Sequence, residues 1–110
     1  MLIEVDIISF SGEAFPAASP VKVELRDTSM QDVAAIVVKQ VHTSVPKADR
    51  TTSVPVTLEV ATVPDGTTLW AHIDVDRDGR VSKGDFVTVE SYPITSAPRQ
   101  SLTLRVKKIT

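Results

Sequence analysis

Val21-Lys-Val-Glu-Leu-Arg26 alternates without a break: Val21, Val23 and Leu25 fall on one side, and Lys22, Glu24 and Arg26 on the other. A period of two is the signature of a strand with one face in a core and one in water. The same reading extends outward in both directions. Val54, Val56, Leu58 and Val60 alternate with Pro55, Thr57 and Glu59, and the proline inside that run predicts an edge strand. Leu69, Ala71, Ile73 and Val75 alternate with Trp70, His72 and Asp74, while Leu102, Leu104 and Val106 alternate with Ser101, Thr103 and Arg105. Residues 2–10 and 85–92 carry looser versions of the pattern. Leu25, Leu58, Ile73 and Leu104, each in mid-strand on an apolar face, are the expected core.

Composition agrees. In 110 residues Val occurs 17 times, Ile 7 and Thr 12, against only 6 Leu, a balance that suits pleated sheet and disfavours a helical bundle. Seven prolines spread along the chain leave little room for a long helix. The length fits one domain over residues 1–110. One segment reads two ways. Ser29-Met-Gln-Asp32 has the form of a helix cap, so Val33-Ala-Ala-Ile-Val-Val-Lys-Gln-Val-His42 is open to a short helix. Its β-branched run, apolar on both faces, instead predicts a buried strand near 35–43, with Asp27–Asp32 in a loop or single helical turn. As a strand, its second apolar face is covered by other structure or forms a subunit contact. Seven strands in about 100 residues predict an all-β, two-sheet sandwich.

Several functions fall away on the same arithmetic. The chain has no cysteine, which removes disulfides, thiolate zinc sites and cysteine nucleophiles. Twelve Lys and Arg against 14 Asp and Glu argue against a dedicated nucleic-acid binder. No apolar run approaches the length of a membrane span. The start Met-Leu-Ile-Glu-Val-Asp6 carries acids where a signal peptide carries Lys or Arg. The expected compartment is the cytoplasm if the chain is complete, and the bacterial envelope if a leader has been removed.

Chemistry concentrates in Asp74-Val-Asp-Arg-Asp-Gly-Arg-Val-Ser-Lys-Gly-Asp85. Counted from Asp74, acids stand at positions 1, 3, 5 and 12 and glycine at 6, the spacing of an EF-hand calcium loop. A hard cation wants six to eight oxygens, and alternate residues of a tight loop aim their carboxylates at one centre. The expected ligands are Asp74, Asp76, Asp78 and Asp85, with the carbonyl of Arg80 and with Ser82 directly or through water. Asp85 stands where Glu is usual, and the shorter side chain predicts weaker binding. The flanks are strands, so the expectation is a structural Ca²⁺ in a hairpin, without a sensor's conformational switch. The plainer alternative is an acidic hairpin turning at Asp78-Gly79.

The other candidates carry less. His42 and His72 both lie in strand patterns; His72 shares a face with Asp74 and is placed to support the loop, but reads most simply as a partly exposed histidine. No Gly-x-Ser-x-Gly elbow and no phosphate-binding glycine loop is present. Arg105-Val-Lys-Lys108 reads as a solvated basic edge, and Trp70, Tyr92, Phe10, Phe15 and Phe86 as core.

Four short motifs together resemble the YbaY/YscW-type domain family, which includes lipoproteins and type III secretion lipoprotein chaperones. They are Val21-Lys-Val-Glu-Leu-Arg-Asp-Thr-Ser29 with Asp32, Val54-Pro-Val56, Ala71-His-Ile-Asp74 leading into the Asp-Gly loop, and Ser91-Tyr-Pro-Ile94. The likeness covers roughly residues 3–107. It implies a small β-sandwich, prealbumin-like or immunoglobulin-like, in the bacterial envelope, and some members resemble pilotins, which chaperone secretin subunits. This sequence shows neither the leader nor the lipid-bearing cysteine of the lipoprotein members, so membrane anchoring is not carried over. Taken together, the expectation is a non-enzymatic calcium-binding module that binds or assembles another protein through an edge at Val54–Val60 or an apolar patch at Ala34–Val38. The competing reading is a small-ligand binder or small hydrolase centred on His72 and the acidic strand. A concave pocket beside His72 would favour the second, and an open edge or patch the first.

Overall fold

The computed structural model describes residues 1–29, 35–47 and 50–110, and among these residues there are seven strands. They are β1 (Leu2–Ser9), β2 (Pro20–Asp27), β3 (Ile36–Ser44), β4 (Ser53–Glu59), β5 (Thr67–Ile73), β6 (Phe86–Thr88) and β7 (Arg99–Lys108). Among the described residues there is no helix. Their hydrogen-bonded order is β3-β2-β5-β6-β7-β1-β4, with only the β1–β7 pair parallel.

The all-β expectation holds, and so does the number of strands. Where the sequence alone divides them between two sheets, the ladders run through one. The reason is β6, three residues long, which pairs with β5 through His72↔Val87 and Ile73↔Phe86 and with β7 through Phe86↔Lys108 to Thr88↔Val106. It stitches the β3-β2-β5 half to the β7-β1-β4 half, and both halves line one core. Ile3, Val5 and Ile7 from β1, Val21, Val23 and Leu25 from β2, and Val54, Val56 and Leu58 from β4 all turn inward. Leu69, Ala71 and Ile73 from β5 face them, with Phe86, Leu104 and Val106. The four expected core residues are therefore buried. The β1–β2 connection adds Phe15, whose ring meets Phe86 edge-on at 4.9 Å.

Three expectations need correction. β3 was expected to be buried on both faces; it stands at an end of the sheet with one neighbour, and Ile36, Val37 and Val38 are 58%, 46% and 37% exposed. A bulge at Val38 interrupts its ladder, since Leu25 faces Lys39 but Arg26 faces Val37. The helix-cap reading at Ser29–Asp32 falls mostly on residues 30–34, outside the described residues; Thr28 and Ser29 form no helix.

Second, Glu24 lies on the face expected to be wet, yet it is buried. Arg26 and Gln40 hold its carboxylate, with Arg26 Nε at 2.8 Å and Gln40 Nε2 at 2.6 Å. The Arg26 guanidinium stacks 3.8 Å from the Trp70 ring centre and covers the group. Burial opposes ionisation of Glu24, but the hydrogen bonds from Arg26 and Gln40 outweigh it and hold the carboxyl below its ordinary value.

Third, only Phe15 and Phe86 of the aromatics are core, while Trp70 and Tyr92 are half-buried and Phe10 is exposed beneath Arg105. By contrast β4 is an edge strand as its proline predicts: it pairs with β1 alone, and Pro55 sits opposite Asp6.

Candidate metal centre

The loop from Asp74 to Asp85 joins β5 to β6, antiparallel neighbours, and so closes a hairpin. Its backbone turns through the left-handed region at Arg77, Gly79 and Gly84, with φ of 59°, 76° and 93°. Gly79 is where glycine is needed most, directly after the third acid. Arg77 pays some strain for the same conformation, and its Nη2 is anchored on the Ala18 carbonyl at 3.1 Å.

That turn brings the four acids together. One carboxylate oxygen from each of Asp74, Asp76, Asp78 and Asp85 lies within 4.8 Å of the others. Oxygens bound to a single Ca²⁺ lie at most about 5 Å apart, so this spread fits one ion. The residues differ in burial: Asp74 and Asp85 are inside, Asp76 and Asp78 at the surface. Asp85 is the most heavily held. Its Oδ1 accepts from Val75 N at 2.9 Å, and its Oδ2 from His72 Nε2 at 2.8 Å and Ser82 N at 3.2 Å. Ser82 Oγ donates to Asp76 Oδ2 at 2.8 Å, and that bond, outweighing desolvation, keeps the Asp76 carboxyl below its usual range. Arg80 N donates to Asp78 Oδ1 at 2.9 Å.

Asp74 is the informative one. Its Oδ2 accepts from Gly79 N at 2.8 Å, but its Oδ1 is buried and has no hydrogen-bond partner among the described residues. A buried carboxylate oxygen without a donor is costly unless a cation supplies what hydrogen bonds do not.

His72 was under-read. It is buried and bonded to Asp85, because the outer face of β5 is packed against the acidic loop at this level. The clue in the sequence was its position two residues before Asp74 on the same face. Beside it opens a cavity of about 210 Å³ lined by Pro20, Val21, Lys22, His42, His72, Asp74 and Gly79. The nearest serine of the loop, Ser82, hydrogen-bonds Asp76 and Asp85, and no described serine hydrogen-bonds His72, so a Ser-His-Asp relay is not assembled here.

One continuous, strongly curved sheet with a carboxylate-lined hairpin defines an all-β module. No family model matches the chain, and no curated protein sequence matches it. Its fold is similar to the solved structure of an alternative pilotin from the type II secretion system of Vibrio cholerae. The likeness has a TM-score of 0.72 at 17% identity and covers 100% of this chain and 97% of that one.

Proposed function

We propose that this chain is a non-enzymatic protein-binding module, with a chaperone or assembly role, whose β5–β6 hairpin is stiffened by Ca²⁺. The observation that carries the calcium part is Asp74 Oδ1, buried without a donor beside three other carboxylates. The protein-binding part is supported by the fold shared with a secretion pilotin and by the exposed apolar edge Ile36–Val38. In this reading Asp74, Asp76, Asp78 and Asp85 supply carboxylate oxygens, Arg80 its carbonyl, and Ser82 a hydroxyl or a bridging water.

Calcium binds only the folded loop, so it raises stability by RT ln(1 + [L]/Kd). With a Kd near 10 μM, 1 mM calcium contributes about 2.7 kcal/mol, on the order of 10 °C in melting temperature for a chain of this size. Magnesium does less, because it keeps its water and demands tighter octahedral geometry. The test is a thermal melt of chelator-treated protein with and without calcium, for the parent and for Asp74→Asn/Asp78→Asn. Loss of the shift in the double variant supports the reading; equal melting temperatures for the parent up to about 5 mM calcium, above the weak end of such sites, overturn it. The cavity beside His72 favours a second reading, a small-ligand site, and that cavity leads to a different ion.

A further inference from the structure

We propose that His72, Asp74 and Asp85 form a second, mixed nitrogen–oxygen site that takes Zn²⁺ in competition with calcium. The proposal rests on reading the loop as a cation site, but on a different donor set. One ligand atom from each of the three residues lies within 4.8 Å of the others, and all three are buried. Calcium selects hard oxygens, whereas an imidazole nitrogen beside two carboxylates suits zinc. A neutral histidine and two carboxylates would also exactly offset the charge of a divalent ion, which matters where water is excluded.

Two of the three donors already stand close to the spacing zinc requires. Zinc holds nitrogen and oxygen ligands at about 2.0–2.2 Å, which places neighbouring tetrahedral ligands about 3.3 Å apart. His72 Nε2 and Asp85 Oδ2 are 2.8 Å apart and would separate by a fraction of an ångström. Asp85 would keep Val75 N on its other oxygen, at 2.9 Å, as an outer support. Asp74 contributes the oxygen that has no donor. The 210 Å³ cavity, which His72 and Asp74 line, would supply the entry path and room for a water in the fourth position. Lys22 also lines that cavity, and its ammonium is drawn aside over Trp70, 5.5 Å from the ring centre. Because Asp74 and Asp85 belong to both donor sets, the two ions exclude each other.

Co²⁺ is the probe, since a four-coordinate site with an imidazole ligand gives it an intense visible spectrum that six oxygens do not. Chelator-treated protein titrated with Co²⁺ should develop that spectrum to one equivalent, and Zn²⁺ should bleach it. His72→Gln should weaken the cobalt signal about tenfold or more while keeping the calcium-dependent rise in melting temperature. Should His72→Gln fail to fold, Asp76→Asn/Asp78→Asn decides, because it alters only surface ligands of the calcium set: cobalt binding kept with the calcium shift gone supports the proposal, and joint loss overturns it. A parent that shows the calcium shift but no four-coordinate cobalt spectrum overturns the zinc site and leaves the calcium reading standing. A cobalt spectrum without a calcium shift does the reverse.

Discussion

β3 and β4 end the sheet on opposite sides, and each has a single hydrogen-bonded neighbour. Their apolar content is similar, yet their attachment differs in kind. β4 alternates strictly and buries Val54, Val56 and Leu58, so it is held by its inner face. β3 is exposed over nearly its whole length and places three apolar residues in a row at its start. What ties it down is its ladder to β2, the packing of Val41 alone against the core and, on the outer face, the bond from Gln40 to the buried Glu24. One edge is also guarded, since Pro55 cannot donate to an added strand, while β3 has no proline and only Lys39 as a fixed charge. The lesson is that equal hydrophobicity makes a core strand or an open edge according to its period.

The largest expected contrast is in truncation. Leu58→Ala should cost roughly 2–5 kcal/mol, as for other buried leucines, whereas Ile36→Ala should stay within about 0.5 kcal/mol. Denaturant midpoints decide, and a comparable loss at Ile36 would mean that β3 is covered in solution. Next is Glu24→Gln, which should cost about 1–3 kcal/mol at neutral pH by leaving Arg26 without its charged partner. Because the folded carboxyl is depressed, its contribution is complete above the ordinary value of 4.5 and is lost as pH falls through the lower, folded value. Melts across pH 2–6 should therefore show a shallower acid limb in the variant; superimposable limbs would remove Glu24 as the outer-face anchor. The smallest effect belongs to Val37→Thr/Val38→Thr, expected within about 0.5 kcal/mol of the parent. A drop of several kcal/mol there would place these residues in an interface that folding depends on.

The inner faces were legible because alternation needs no knowledge of distant neighbours. Val21, Val23 and Leu25, or Leu69, Ala71 and Ile73, face the core wherever their strands pair. Glu24 was not legible: a period of two sends every second residue to water and is blind to a guanidinium laid over Trp70. Nor was β3, since an apolar run reads as burial whether or not a neighbour arrives. The joining of the halves escaped for a similar reason, being decided by three residues of β6 whose partners on β7 lie about twenty positions away. In the loop, spacing anticipated that the four carboxylates come together, because the turn that gathers them is local. Asp85's further bond to His72 crosses the hairpin and was only hinted at by their shared face.

The position of β7 has a consequence for how the chain acquires its shape. It is the last of the seven strands in sequence, yet it lies in the interior of the sheet, antiparallel to β6 and parallel to β1, with Leu2 opposite Arg99 and Ser9 opposite Val106. Until it docks, β1 and β4 make a two-stranded pair from distant parts of the chain, and no ladder joins them to β3-β2-β5. Closing a loop of nearly the whole chain before that contact returns any energy makes the step slow. The strand that joins the two half-sheets is thus one that the chain supplies only after the other six.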